Sequence, residues 1–202
     1  MEHKYPTPIK AIIFDNDGTL LNSQWVYEWA TEQLAGCEMD PDLKARLRGK
    51  PNKETCEVIK EVYGLEEDIQ SIAEKRTKLT HKFWGSLELL PGAKEFVESA
   101  HAKGIPMALA TSSRESVFAM KSKNLEDFYA LMDHIVCGDA IKRGKPAPDI
   151  FLHAQSKWDN IKPEECVVFE DSPLGIKAAN DAGMASVFIP GKISNVEEIL
   201  AA

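Results

Sequence analysis

Short apolar runs alternate with amphipathic stretches along most of the chain, and this alternation predicts the elements of the fold. Residues 11–14 are apolar without a break and predict a first strand. Beyond residue 91, the predicted helices are at 93–103, 116–122, 149–157 and 174–182, and the predicted strands at 107–110, 135–137, 166–169 and 185–189. Uninterrupted apolar strands between helices are typical of a parallel sheet that is covered on both faces. We therefore predict a doubly wound, Rossmann-like α/β core.

The stretch between the first strand and residue 85 has helical spacing. Its apolar residues recur at i, i+3 and i+4, and glycines at positions 36, 49 and 64 separate the patterns. Asn52 is the expected N-cap of the third helix. Four short helices are predicted, at 25–34, 43–47, 56–63 and 69–83. The sequence thus predicts a helical domain at residues 20–85, inserted into an α/β core domain at 1–19 and 86–202.

Composition and charge limit the partners of this chain of 202 residues. The formal net charge of −8 argues against a nucleic acid or an anionic membrane as the main partner, but leaves a small anionic substrate open. No apolar run approaches the ~20 residues of a membrane span, and the first ten residues lack the apolar stretch of a secretory signal. The cysteines are far apart and show no CxxC spacing. We therefore expect a cytoplasmic monomer with reduced thiols and with no nucleic-acid or membrane partner.

Polar side chains gather where the predicted strands end, which is where a doubly wound sheet binds its ligands. In chain order they are Asp15, Asp17, Thr111, Ser112, Ser113, Glu170 and Asp171, with Lys145 in the loop before the third core helix. Each one alone is typical of an ordinary turn, helix cap or solvated loop. Four carboxylates at one edge would repel one another without a cation. Together, therefore, these residues favour a functional site.

Phosphoryl transfer through a carboxylate nucleophile fits the first two of these residues. Side chains at i and i+2 of an extended segment point the same way, so Asp15 and Asp17 are expected to face one site. Asp15 would attack the phosphorus. Asp17, kept protonated by its anionic neighbours, would give a proton to the leaving group and later take one from water.

Charge compensation predicts the roles of the other strand-end residues. Mg²⁺ prefers oxygen ligands, and we expect Asp15, Asp171 and the backbone carbonyl of Asp17 to bind it. Glu170 would act on the ion through water. Lys145 and the Thr111 hydroxyl would bind phosphate oxygens, and the lysine would cancel one more negative charge. The expected metal and phosphate site therefore consists of Asp15, Asp17, Glu170, Asp171, Thr111 and Lys145.

Four motifs resemble those of the haloacid dehalogenase superfamily, in the same order and strand context. DNDGTLLNS resembles its DxDGT motif, and MALATSS resembles the second motif with Thr111 in the phosphate-binding position. GKPAPDIF resembles the third motif with Lys145, and VVFEDSPLGIKAANDAG the fourth with Glu170 and Asp171. The resemblance covers essentially the whole chain. It implies a Mg²⁺-dependent hydrolase whose helical insertion is a C1-type cap that closes over the active site.

Finer features resemble the β-phosphoglucomutase-like subgroup, and within it the pseudouridine 5′-phosphatase type. Phosphatases of the superfamily tend to carry threonine at the position of Thr19, which implies a phosphomonoesterase rather than a mutase. The implied substrate is a nucleoside monophosphate such as pseudouridine 5′-phosphate, or a sugar phosphate. Two positions depart from the pattern. Asn16, expected to point away from the site, replaces an apolar residue, and Asn52 or Lys53 replaces the arginine that the mutase uses for a distal phosphate.

Two short segments beside the motifs are further candidates for substrate contacts. One is the loop of the helical domain around residue 49, which is expected to face the substrate unless it is only a solvated turn. The other begins the helix after the second strand, where it would bind an anion or a substrate hydroxyl unless it only caps the helix. The candidates are Arg48, Gly49 and Lys50 in the first segment, and Ser112, Ser113 and Arg114 in the second.

Two other functions are left open by the sequence. A sugar phosphomutase on the same scaffold would be activated by a bisphosphate and would form isomer faster than free phosphate. A receiver-like signalling module also combines strand-end Asp, Thr and Lys residues with a phosphorylated aspartate. Receivers, however, lack a helical insertion and carry that aspartate on a middle strand.

Overall fold

One parallel sheet of five strands forms the centre of the molecule. The computed structural model describes residues 9–193, and the ends of the predicted core domain, 1–8 and 194–202, lie outside the described residues. The strands are β1 (Ala11–Phe14), β2 (Met107–Thr111), β3 (His134–Cys137), β4 (Cys166–Glu170) and β5 (Ala185–Phe188). Their order in the sheet is β3-β2-β1-β4-β5. The predicted parallel sheet is confirmed, and each strand begins and ends within one residue of its predicted range.

A helical insertion follows β1 in the chain, as the spacing of apolar residues predicts. Its helices are α1 (Gln24–Ala35), α2 (Pro41–Leu47), α3 (Asn52–Tyr63) and α4 (Ile69–His81). α1 ends at Gly36, which adopts the left-handed conformation that glycine favours. Asn52 was expected to be an N-cap, but it is the first residue of α3, because Pro51 already has the extended backbone of the cap position. The small core of the insertion is formed by Cys56, Ile59 and Ile72.

Helices cover both faces of the sheet, because successive residues of a buried strand point to opposite sides. The helices of the core are α5 (Ala93–Ala102), α6 (Glu115–Ser122), α7 (Glu126–Tyr129), α8 (Asp149–Gln155) and α9 (Pro173–Asp181). On one face, Ile12 and Phe14 pack in a cluster with Phe96 of α5. On the other, Ala11 and Ile13 pack with residues of α8 and α9. Within residues 9–193, no helix is both long and apolar enough to span a bilayer.

The central position of β1 brings three strand ends together. Phe14 pairs with Leu109 of β2 and with Phe169 of β4. The backbone N–H of Asp15 continues the ladder by donating to the Phe169 carbonyl at 2.9 Å. The residues that follow β1, β2 and β4 therefore meet at one edge of the sheet, although they are far apart in sequence.

Candidate active site

Three buried carboxylates meet at this edge. Asp15 follows β1, whereas Glu170 ends β4 and Asp171 comes directly after it. One carboxylate oxygen from each lies within 4.8 Å of the other two. All three residues are at least nine-tenths buried, with 6%, 2% and 3% of their surface exposed. Such crowding of like charges away from water is costly unless cations compensate it.

Lys145 supplies one of the required positive charges. Its side chain is 4% exposed, and its ammonium lies 2.6 Å from Asp15 Oδ1 and 2.9 Å from Glu170 Oε1. The residue lies in the loop between β3 and α8, so the fold carries it back to the edge where β1 and β4 end. Three carboxylates against one buried ammonium leave two negative charges, which is the charge that a divalent cation would balance.

The donor set fits a hard divalent cation such as Mg²⁺. All three groups offer carboxylate oxygens, which this class of ion prefers. Burial, together with the charge of Glu170, raises the pKa of Asp171 to about 7. Burial also raises the pKa of Asp15, with Glu170 and Asp171 adding to the effect and Lys145 opposing it. A bound cation would reverse these shifts by stabilising the ionised carboxylates.

Glu170 is held by contacts on both of its carboxylate oxygens. Oε1 accepts from Lys145, and Oε2 accepts from the backbone N–H of Ser172 at 2.6 Å and from its hydroxyl at 3.0 Å. Ser172 is also the N-cap of α9, where its hydroxyl accepts from the backbone N–H of Gly175. These donors on both oxygens fix the orientation of the Glu170 carboxylate beside Asp15 and Asp171.

Two buried threonines line the same site. The Thr19 hydroxyl donates to Asp15 Oδ2 at 3.3 Å, on the opposite carboxylate oxygen from Lys145. Thr111 ends β2 and is fully buried, and its Oγ1 accepts from the backbone N–H of Ser113 at 3.1 Å. Because this contact uses the oxygen of Thr111 as an acceptor, it does not consume the hydroxyl proton, and the binding of a phosphate oxygen by Thr111 stays a prediction.

Asp17 lies outside the carboxylate cluster of the described residues and has a different environment from the one expected. Its Oδ1 accepts from the Ser23 hydroxyl at 2.7 Å, and its Oδ2 accepts from the Ser113 hydroxyl at 3.1 Å. The Lys121 ammonium donates to both oxygens, at 2.6 and 2.8 Å. Burial alone would raise the pKa of Asp17, but the charge and hydrogen bonds of Lys121 outweigh burial, and the pKa lies below its ordinary value. The expectation that anionic neighbours keep Asp17 protonated is therefore wrong in this arrangement, because its nearest charge is a cation.

Lys121 is a site residue that the sequence reasoning missed. It lies on α6, three residues after the buried Phe118, and its own side chain is fully buried. Residues three apart lie on the same face of a helix, so the spacing of Lys121 from the apolar Phe118 is the sequence signal that could have identified it as buried. Without the fold, however, nothing in the sequence connects it to Asp17, which is 104 residues away.

Asn16 points away from the carboxylates, as expected. Its side chain is fully buried, and its Oδ1 accepts from the Tyr129 hydroxyl at 2.7 Å. Tyr129 belongs to the apolar cluster on the α5 face of the sheet. The segment Asp15–Asp17 therefore presents its side chains in two directions, as an extended backbone requires.

The helical insertion reaches the site on the side of Asp171. Gln24, the first residue of α1, donates to Asp171 Oδ2 at 3.0 Å, and Arg48 Nε lies 3.7 Å from the same oxygen. These three residues line a cavity of about 320 Å³. A larger groove of about 460 Å³ lies between α5 and the segment around α7, away from the carboxylates. The smaller cavity is the one beside the site, because Asp171 of the carboxylate cluster lines it, and its volume suits a small ligand.

The loop around residue 49 contacts the core through its glycine. A Cβ added to Gly49 would lie 2.6 Å from both Cβ and Oγ of Ser172, so the backbone passes directly over the N-cap of α9. Lys50 was expected to face the substrate with its neighbours, but its ammonium lies 3.7 Å from Glu54 on α3. The structure thus brings Arg48 and Gly49 to the site and leaves Lys50 on the surface of the insertion.

The second candidate segment is divided in the same way. Ser113 is half-buried and takes part in the hydrogen bonds around Asp17. Ser112 and Arg114 are exposed, and Arg114 is the residue before the first turn of α6. In the described part of the chain, neither side chain contacts the carboxylate cluster, so a role in substrate binding stays a prediction for both.

Comparison with known proteins agrees with the motifs and the fold. The family described as haloacid dehalogenase-like hydrolase matches residues 12–189. The chain is 37% identical over 199 residues to a probable pseudouridine-5′-phosphatase of Saccharomyces cerevisiae, covering 92% of this chain and 84% of the relative. It is 34% identical over 187 residues to a phosphorylated carbohydrates phosphatase of Thermotoga maritima, covering 89% and 84%.

A solved structure shows the same architecture. A putative β-phosphoglucomutase from Thermotoga maritima superposes with a TM-score of 0.71 at 30% identity, covering 95% of this chain and 97% of that one. The match extends over the helical insertion as well as the sheet, since nearly the whole of both chains is covered. The resemblance inferred from the four motifs is thereby confirmed, and the chain belongs to the haloacid dehalogenase-like hydrolases.

Proposed function

We propose that the chain hydrolyses a small phosphomonoester with the help of Mg²⁺, through a phosphorylated Asp15. Its enzyme class, a phosphomonoesterase, follows from the family and from the phosphatases among its relatives. The observation that carries the finer proposal is the placement of Asp15 between Lys145 and Thr19 within the buried carboxylate cluster. This placement orients a carboxylate nucleophile and supplies a cation for the approaching phosphate.

The residues that would hold Mg²⁺ are Asp15 and Asp171, with the backbone carbonyl of Asp17, and Glu170 would act through water. The site is supported by the cluster itself, in which one carboxylate oxygen each of Asp15, Glu170 and Asp171 lies within 4.8 Å of the other two. When bound, the ion balances the charge of the cluster and polarises phosphate oxygens. Lys145 and Thr111 would hold the remaining phosphate oxygens by charge and by hydrogen bonding.

Asp15 and Asp17 divide the chemistry between them. In the first step, an oxygen of Asp15 bonds to phosphorus, the bond from phosphorus to the ester oxygen breaks, and protonated Asp17 gives that oxygen its proton. In the second step, the Asp17 carboxylate takes a proton from water, whose oxygen bonds to phosphorus and releases Asp15. Lys121 favours the ionised form of Asp17, which is the form required for the second step. The proton that Asp17 takes from water in that step is the one it gives to the ester oxygen in the first step of the next turnover.

The helical insertion, residues 20–85, would act as a C1-type cap that restricts the substrate. Its contacts with Asp171 through Gln24 and Arg48 support this role, and the cavity of about 320 Å³ favours a small ligand. The proposed substrates are a nucleoside monophosphate such as pseudouridine 5′-phosphate, or a sugar phosphate. We further propose that the protein acts on them as a cytoplasmic monomer.

Substitution of the nucleophile tests this function directly. Asp15→Asn keeps the shape of the side chain but removes its charge, so phosphate release should fall by more than about 10³-fold. The measurement is phosphate release from a panel of about 50 phosphomonoesters with Mg²⁺, and a chelator should abolish it in the wild type. The matched control is Asp181→Asn, an exposed carboxylate on α9 that pairs with Lys177. A folded Asp15→Asn variant with full activity would refute the proposal.

A sugar phosphomutase is the second candidate, because one structural neighbour is a putative β-phosphoglucomutase. Against it, Asn52 or Lys53 stands where the mutase has its arginine, so this position carries no guanidinium to bind a distal phosphate. Equal amounts of released phosphate and dephosphorylated product would exclude the mutase. Activation by a bisphosphate, with isomer formed faster than phosphate, would favour it instead.

A receiver-like module is not supported. β1, the strand before Asp15, lies at the centre of the sheet, so the position of this strand does not distinguish the chain from a receiver. The insertion of four helices does distinguish the chain from a receiver, and so does the presence of phosphatases among its relatives.

A further inference from the structure

Lys121 is a buried cation that lies against Asp17. Its side chain has 0% exposure. Its ammonium donates to Asp17, to the Tyr27 hydroxyl at 2.7 Å and to the Ser113 hydroxyl at 2.9 Å. It also lies 4.6 Å from the centre of the Trp84 ring. Every donor of the ammonium therefore has an acceptor, and an aromatic ring covers it.

A lysine is rarely buried so completely, because an ammonium loses its hydration there. The two buried residues of α6 are Lys121 and the apolar Phe118, so the lysine lies on the face of the helix that packs inward. The compensation comes from Asp17, which is the acid/base of the proposed reaction. The ion pair of Lys121 therefore involves a proposed reacting group and is buried, unlike the ion pairs on the surface.

The contacts around Lys121 fix the plane of the Asp17 carboxylate. Ser23 donates to one oxygen, Ser113 donates to the other, and Lys121 donates to both. A carboxylate with donors on both oxygens cannot rotate about its last bond without breaking several hydrogen bonds. The orientation of the Asp17 carboxylate is thereby set by the protein's own side chains.

The same ammonium joins the core to the helical insertion. Lys121 and Ser113 belong to the core, whereas Tyr27 belongs to α1. Tyr27 also packs against Trp84, with ring centres 5.3 Å apart, and so lies in a fixed place above the ammonium. A shift of α1 would take the Tyr27 hydroxyl away from Lys121, so the ammonium would lose its acceptor on the insertion and could change its position against Asp17.

We propose that Lys121 is a positioning residue, which orients the Asp17 carboxylate for proton transfer and makes that orientation depend, through Tyr27, on the contact between α1 and α6. The inference rests on the proposed function, because it requires Asp17 to exchange protons with the substrate and with water. Among the described residues, the hydrogen bonds of Lys121 go to Asp17, Tyr27 and Ser113 and not to the three clustered carboxylates.

A double-mutant cycle tests whether Lys121 acts through Asp17. The variants are Lys121→Met, Asp17→Asn and the pair of both, and the probe is phenyl phosphate with Mg²⁺. Lys121→Met should lower kcat by about 10- to 100-fold with KM changed by less than about 3-fold, since general acid–base catalysis contributes on this scale. In the Asp17→Asn background the same change should lower kcat no further. Lys177→Met, which removes an exposed lysine of α9, is the matched control and should leave kcat unchanged.

The outcomes separate this inference from the proposed function. Losses that multiply in the double variant, or an unchanged kcat in Lys121→Met, would overturn the positioning role alone. Full activity of Asp17→Asn would overturn the acid/base role of Asp17 and the inference with it.

A milder variant keeps the test valid if Lys121→Met does not fold. Tyr27→Phe leaves both charges in place and removes one acceptor from Lys121. It should lower kcat by about 3- to 10-fold, with KM nearly unchanged and with no further loss in the Asp17→Asn background. Circular dichroism establishes that each variant is folded. A folded Tyr27→Phe variant with wild-type kcat would contradict the link between α1 and Asp17.

Discussion

The polar side chain of Asn16, between the two aspartates of the first motif, is explained by its hydrogen bond with Tyr129 on the α5 face of the sheet. Its Oδ1 accepts from Tyr129, whereas its Nδ2 has no hydrogen-bond partner among the described residues. Burial, with Asp17 nearby, raises the pKa of Tyr129, so the phenol keeps its proton and remains the donor. The amide thus satisfies a buried hydroxyl that an apolar residue at position 16 would leave unpaired.

This pairing predicts strong coupling between the two side chains. Tyr129→Phe leaves the Asn16 amide wholly unpaired, and Asn16→Leu leaves the Tyr129 hydroxyl unpaired, so each should lower the free energy of unfolding by about 1–3 kcal/mol. The double variant replaces both partners by apolar groups and should recover most of that loss. Urea denaturation of the wild type, the two single variants and the double variant measures these free energies of unfolding. Additive losses in the double variant would contradict the pairing.

At the scale of single residues, the sequence predicted those positions that belong to a motif. Asp15 and Asp171 directly follow strand ends, so the parallel sheet predicts that they converge. Lys145 lies in a motif loop, and its place in the site was predicted from the motif. The surroundings of Asp17 were not predictable in this way. They depend on the rotation of α6 about its own axis, which points Lys121 inward, and side-chain packing rather than sequence spacing sets that rotation.

At the scale of elements, one close contact between the helical insertion and the core requires a glycine. Gly49 has a φ of +74° and passes against Ser172, the residue that holds Glu170. Any side chain at this position would push the loop and the N-cap of α9 apart. The loop contributes to the site through this close approach as well as through the guanidinium of Arg48.

Gly49→Ala is therefore expected to lower kcat/KM by at least about 10-fold, because a small displacement near reacting groups is costly. Gly36→Ala is the matched control. Gly36 has a nearly equal φ of +71°, but its added Cβ would meet nothing within 4 Å. Both variants should lose about 1 kcal/mol of stability through backbone strain. Equal kcat/KM values in the two variants would show that the contact with Ser172 does not matter.

Most elements were predictable because they are long enough to show a period. The strands and the helices of the insertion agree closely with the predicted ranges. The exception is α7, a single turn of four residues, which is too short for a helical pattern to appear. This short helix carries Tyr129, so the element that sequence reasoning missed is also the one that explains Asn16.

At the scale of the whole molecule, a net charge of −8 is combined with an acidic site that lacks two positive charges. Mg²⁺ should therefore bind the folded chain and stabilise it. At 100 times its dissociation constant, a ligand of the native state adds about 2.7 kcal/mol, which corresponds to a rise of about 5–10 °C in Tm. Asp171→Asn should lose most of this rise, and the control Asp181→Asn should retain it. Scanning calorimetry of the proteins with and without Mg²⁺ measures the shift.

The central claim is that the phosphoryl group passes through Asp15, and an Asp17→Asn variant gives the most direct access to it. p-Nitrophenol is a good leaving group that needs no proton, so this variant should still be phosphorylated by p-nitrophenyl phosphate but should hydrolyse the intermediate slowly. We expect a rapid burst of about one equivalent of p-nitrophenolate per chain. Borohydride reduction of the quenched protein, followed by peptide mass spectrometry, should then find homoserine at position 15. The absence of a burst in the folded variant, or a phosphoryl group on any other residue, would contradict the account.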